Sequence, residues 1–162
     1  MPTLAYLLLL LSLVANTRPA PAPKAVPIKA VTACLAVTRA DLEQALGRSF
    51  SAGKEETSGA ESSCDYAADG GQVTIMIHRL TDALDMPAEL ASLKSAIPGA
   101  SLREVAGIGT RAFFLDIGDA GTQLHVIRGN RDYLLVSILG FGDATRVSAA
   151  AEKMARKALD RL

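Results

Sequence analysis

Two hydrophobic periods alternate along this chain, one of about 3.6 residues and one of about 2, and their order lays out the elements. Thr38-Arg39-Ala40-Asp41 resembles a capping box with Asp in place of Glu. Leu42, Ala45 and Leu46 follow at helical spacing until Gly47 supplies a stop, so the spacing predicts a short helix. From Ser51 to Ser63 the chain reads SAGKEETSGAESS. This polar stretch shows neither period and is expected to be a loop, with Glu55, Glu56 and Glu61 solvated. In CDYAADGGQVTIMIHR, Asp69-Gly70-Gly71 joins two strand-like runs as a hairpin. Val73, Ile75 and Ile77 alternate with Thr74, Met76 and His78, which puts the first set on a core face and His78 on the other.

A second helix is expected from the Asp85 N-cap and Pro87, with Leu90, Leu93 and Ile97 on one stripe and Pro98-Gly99 as its end. Strands then run from Leu102 to Val105, Arg111 to Ile117, Thr122 to Arg128 and Asp132 to Leu139, joined by short glycine-bearing turns that favour antiparallel pairing. Gly140-Phe141-Gly142-Asp143 precedes a long final helix. Val147, Ala151, Met154, Ala158 and Leu162 share one face of it, and Arg146, Lys153, Arg156, Lys157 and Arg161 share the other. That basic stripe reads as a solvated surface, with anionic lipid or an acidic partner as the alternative. The fold class that follows is α+β: a single antiparallel β-sheet with helices packed on one face, in the order α-β-β-α-β-β-β(-β)-α.

The N-terminus has a different character. Leu4 to Ala15, LAYLLLLLSLVA, is an unbroken apolar run. At about a dozen residues it falls short of the roughly 20 that a spanning helix needs, and fits the core of a signal peptide cut after Ala15. The usual basic segment before the run is missing, so an uncleaved N-terminal anchor is the alternative. Residues 16–32, with prolines at 19, 21, 23 and 27, form a semi-rigid spacer. The expected organisation is signal peptide 1–15, spacer 16–32 and a single domain 33–162, in a periplasmic or secreted protein with no stable transmembrane span once mature.

Charge narrows the partners. Lys plus Arg number 17 and so do Asp plus Glu, for a net charge of zero, and Trp is absent. Without a basic run or a stacking platform the chain has no footprint for nucleic acid.

Cys34 and Cys64 make up the whole cysteine complement. In an exported chain two cysteines are most economically read as one disulfide. Val31-Thr32-Ala33-Cys34 looks like the pattern cut before a lipidated cysteine, but Arg18, Lys24, Lys29 and four prolines separate it from the apolar run. A metal site is a poor rival because neither cysteine belongs to a C-x-x-C pair, and His78 and His125 are remote in sequence. A catalytic thiol with either histidine would have to stay reduced in an oxidising compartment.

Taken together, Cys34 before a short helix ending in Leu46-Gly47, Cys64-Asp65-Tyr66 opening a strand, Val105-Ala106-Gly107-Ile108-Gly109 and the Ala-rich last helix resemble small exported bacterial envelope proteins. These are often lipoproteins, with a domain of unknown function. Thr110 stands here where an acidic residue often follows the second glycine. The resemblance implies a paired Cys34 and Cys64 and an extracytoplasmic location, and it brings no catalytic residues.

Candidate chemistry is sparse. Gly107-Ile108-Gly109 lacks the third glycine and the Lys-Ser/Thr of a phosphate loop and is expected to be a turn. No G-x-S-x-G, H-E-x-x-H or S-x-x-K pattern occurs, so no catalytic residue, metal or cofactor is assigned. Ser137 reads as a buried strand position. The candidate ligand-binding residues are His78 and His125, as strand histidines able to bind a metal weakly or respond to pH, and Arg111 and Arg128, with Arg131, as a cluster at one end of the sheet. Isolated surface histidines and surface ion pairs are the plain alternatives. The expected function is an exported, non-enzymatic binding or interaction module, stabilised by one disulfide, for a protein partner or small ligand. The alternatives are an enzyme using His78, His125 or an arginine cluster, and a structural component of an envelope assembly.

Overall fold

The computed structural model describes residues 31–162. The expected signal peptide and nearly all of the spacer lie outside the described residues. In chain order the elements are α1 (Ala33–Ala36), α2 (Arg39–Leu46), β1 (Lys54–Ser58), β2 (Glu61–Ala68), β3 (Gly71–Arg79), α3 (Met86–Ala96), β4 (Ser101–Val105), β5 (Arg111–Asp116), β6 (Gly121–Arg128), β7 (Asp132–Leu139) and α4 (Ala144–Arg161). All seven strands join one antiparallel sheet in the order β1-β2-β3-β7-β6-β5-β4. This is the expected α+β fold. The meander β1-β2-β3 and the meander β4-β5-β6-β7 meet where β3 pairs with β7, and α3 carries the chain from one to the other.

The local signals that place these elements are the ones visible in sequence. Thr38 and Asp41 close a reciprocal capping box on α2, and Gly47 ends it in the left-handed conformation at φ 63°. Asp85 caps α3 through the Ala88 amide, and Asp143 caps α4 through the Arg146 amide. Gly107-Ile108-Gly109 is a turn between β4 and β5. A side chain at Gly109 would meet the Ile127 carbonyl, and the Thr110 amide donates to that same oxygen.

The main core lies on one sheet face. Val73, Ile75 and Ile77 of β3, Leu134, Val136 and Ile138 of β7, and Leu124 and Val126 of β6 pack beneath α2 and α4. Val147, Ala151, Met154 and Ala158 are buried as the period predicts, and Ala150 and Ala155 widen the stripe. At about 1.5 to 3 kcal/mol for each large apolar side chain, this face supplies most of the driving force. The Cys34–Cys64 disulfide fastens α1 to β2 with their Cα atoms 5.1 Å apart. The Tyr66 hydroxyl donates to the Val37 carbonyl beside it, and burial pushes that hydroxyl's pKa up to about 12.

Three expectations change. First, 51–63 is not all loop, because KEETS forms β1 and β2 already begins at Glu61. Every β1 residue is exposed, so the strand owes its existence to backbone pairing with β2 and leaves no hydrophobic alternation to read. Second, packing on one face holds for α1, α2 and α4 but not for α3. Met86, Leu90 and Leu93 lie against Phe113, Ile127, Tyr133 and Leu135 on the reverse face, where these strands also carry apolar side chains. Third, the basic stripe of α4 is only partly solvated. Lys157 and Arg161 hold Asp41 of α2 at 2.5 and 2.6 Å, and Arg146 donates to the Leu46 carbonyl.

Candidate binding groove

The four candidate residues from sequence do not gather into one site. His78 is partly exposed on β3, with Nδ1 3.9 Å from the Glu61 carboxylate. His125 faces the same side of the sheet from β6, but β7 lies between the two strands. The expectation of exposed strand histidines fails for His125, which is 2% exposed. Its ring stacks on Phe113 at 4.7 Å between centroids, Nδ1 is 2.5 Å from the Tyr133 hydroxyl, and Nε2 has no hydrogen-bond partner among the described residues. Burial pushes the His125 pKa down to about 4, so the ring is neutral near pH 7, and burial likewise raises the Tyr133 hydroxyl. This is a buried aromatic layer beneath α3.

Arg128 and Arg111 do lie toward one end of the sheet, but carboxylates already hold them. Arg128 donates through Nε and Nη2 to Asp132, at 3.1 and 2.7 Å, and through Nη1 to the Leu159 carbonyl. Arg79 reaches the other Asp132 oxygen at 3.1 Å. Burial alone would raise the Asp132 pKa, but these arginines outweigh it and hold the carboxyl below its usual range. Arg111 pairs with Glu104 at 3.4 Å. Among the described residues, no group of three or more His, Cys, Asp or Glu side chains is placed to hold a metal ion.

A different set of residues forms a concavity. α4 lies over β6 and β7 and stops short of β4 and β5, and the small side chains of Ala144 and Ala149 leave the space beside it open. The resulting groove, about 800 Å³, is lined by Arg103 and Asp116 from the sheet and by Thr145, Ser148, Lys153 and Arg156 from α4, with Glu152 at its side. Arg103 stands opposite Phe114 in the β4–β5 register, and its guanidinium lies 4.4 Å from that ring's centroid. Arg103 Nε is 3.7 Å from the Asp116 carboxylate, and Nη2 is 3.5 Å from the Ser148 hydroxyl. Arg156 donates to the Gly107 carbonyl at 2.7 Å and lies 3.8 Å from Glu152. Lys153 makes no ion pair among the described residues. Three cations thus face two carboxylates, and the guanidinium of Arg103 lies over the Phe114 ring. The arrangement suits recognition of an anionic group.

Sequence reasoning picked out Lys153 and Arg156 on the helix stripe but missed Arg103. Nothing local marks it, since 45 residues separate it from Ser148. No known protein family matches the chain, and no curated protein resembles it in sequence.

Proposed function

We propose that this chain is an exported, non-enzymatic interaction module whose domain holds an anionic group of its ligand in the groove of Arg103, Lys153 and Arg156. The observation that carries the reading is Lys153, a groove-lining cation without a carboxylate partner among the described residues, beside an arginine already oriented by Phe114 and Asp116. A ligand carboxylate or phosphate there completes an uneven charge set. Export draws support from the apolar run ending at Ala15, the proline spacer and the Cys34–Cys64 bridge, since disulfides persist in oxidising compartments.

The test is an NMR titration of the purified full chain with inorganic phosphate and with a hexaglutamate peptide. Saturable shifts are expected at the Arg103 Nε–H and at the Ser148 and Lys153 amides, weakening with salt and by about five-fold in Lys153→Ala. Shifts spread evenly over exposed cations and indifferent to Lys153→Ala would sink the reading. For export, the periplasmic form should have a mass that begins at Asn16, and retention of the intact chain in the cytoplasm would refute that part.

A further inference from the structure

β4 closes one edge of the sheet and pairs only with β5 among the described residues. Its side chains alternate between the two faces. Arg103, opposite Phe114, points to the α4 side, whereas Leu102 and Glu104, opposite Leu115 and Phe113, point to the α3 side. On the α4 side lies the cationic groove. On the α3 side lies a second cleft of about 450 Å³, with Leu90, Leu102 and Phe113 as apolar wall and Lys94, Glu104 and Arg111 among its polar residues. β4 is therefore an open edge flanked by a concavity on each face. β1, the opposite edge, carries Lys54, Glu55 and Glu56, is exposed throughout, and borders neither groove.

We infer that β4 is a strand-addition site for an extended segment of a partner protein in which acidic residues alternate with apolar ones. The inference rests on the anionic-ligand reading above and names its partner class. Main-chain hydrogen bonds to an edge strand supply affinity, and pockets that take alternate side chains supply specificity. A strand laid along β4 sends every second side chain toward Arg103, Lys153 and Arg156 and the intervening ones toward Leu90, Leu102 and Phe113. Five residues of β4 span about 17 Å, enough to align with five or six partner residues.

Two nearer occupants fit poorly. Residues 1–30 contain no Asp or Glu, and their spacer has four prolines that cannot donate to a ladder. A second copy paired in full overlap about Arg103 would set Arg103 against Arg103, and like charges directly opposed are unfavourable.

The experiment compares two synthetic peptides of one composition, EVEVEV and EEEVVV, against the purified full chain by calorimetry, with hydrogen exchange of the β4 amides. EVEVEV should bind about ten-fold more tightly and slow exchange at Leu102 to Val105, and methylating its backbone nitrogens on one edge should abolish binding. Arg103→Glu should weaken it by at least about ten-fold. Equal binding of both peptides, lost together in Arg103→Glu, would overturn strand addition while leaving the anionic-ligand reading in place. If neither peptide binds but hexaglutamate does, strand addition again falls alone; if hexaglutamate and phosphate also fail, both readings fall. Dimerisation through β4 that the peptide does not disrupt would likewise overturn the inference, with a second copy as the occupant.

Discussion

At the scale of the residue, His125 shows how strand alternation can be read correctly and still mislead. The pattern Leu124-His125-Val126 places the ring on the face opposite the main core, and it is there. A polar residue on that face meets water in a two-layer protein and a second apolar layer in a three-layer one, and the alternation is identical in both cases. Here α3 supplies that layer, and the consequence is a pH dependence. The folded state keeps His125 neutral down to about pH 4, while the unfolded chain protonates it near its ordinary pKa of about 6.5. Between these values the unfolded state binds more protons, so stability falls as pH is lowered from about 6.5 to about 4 and is unaffected by this group above that window. Urea unfolding at pH 7 and pH 5 should differ by roughly 2 kcal/mol on this account, and the His125→Phe/Tyr133→Phe double variant should lose that difference. An unchanged pH slope in the double variant would show that the ring is not the cause.

Among the elements, those with a strong internal signature were legible and those held by their neighbours were not. α2, the β2–β3 hairpin and α4 carry caps, a glycine turn and clear periods. β1 is polar throughout, and only its pairing with β2 makes it a strand. The stripe on α3 shows that it packs on something, but a period does not say which sheet face receives it. The contact of α2 with α4 was equally invisible, although it turns on one carboxylate. Asp41 caps its own helix through Thr38 and accepts from Lys157 and Arg161, whose guanidinium also reaches the Ala36 carbonyl. Burial would raise the Asp41 pKa, but hydrogen bonds from Arg161, Lys157 and Thr38 outweigh it and hold the carboxyl far below the usual range. Asp41→Ala should therefore cost about 2 to 3 kcal/mol at pH 7, less than a deeply buried pair because both cations can turn to solvent. This contribution is complete above pH 4 or so and declines below it as the unfolded chain becomes protonated. The wild-type advantage over Asp41→Ala should shrink by about 1 kcal/mol between pH 5 and pH 3. Denaturant unfolding of both proteins at the two pH values measures it.

Over the whole molecule, the arrangement separates what holds the domain together from what it presents. The disulfide, the Tyr66 hydrogen bond and α1 sit at the β1–β2 end of the sheet, whereas the groove lies at the β4–β5 end, with β3, β7 and β6 between them. The net charge of zero gave no hint of a cationic site, because the charges balance globally while the fold assigns Lys157 and Arg161 to Asp41 and leaves Lys153 to the groove. That separation predicts how the protein responds to loss of its bridge. Cys34 and Cys64 are 30 residues apart, and closing a loop of that length stabilises a fold by about 3 to 4 kcal/mol in the chain-entropy model. The Cys34→Ser/Cys64→Ser variant should lose that much in denaturant unfolding yet bind hexaglutamate with unchanged affinity under conditions where it remains folded, because β3, β7 and β6 separate the bridge on β2 from Arg103 and Asp116 on β4 and β5. A proportional loss of affinity in the folded variant would mean that the two ends of the sheet are coupled and that the bridge shapes the groove as well as securing the chain.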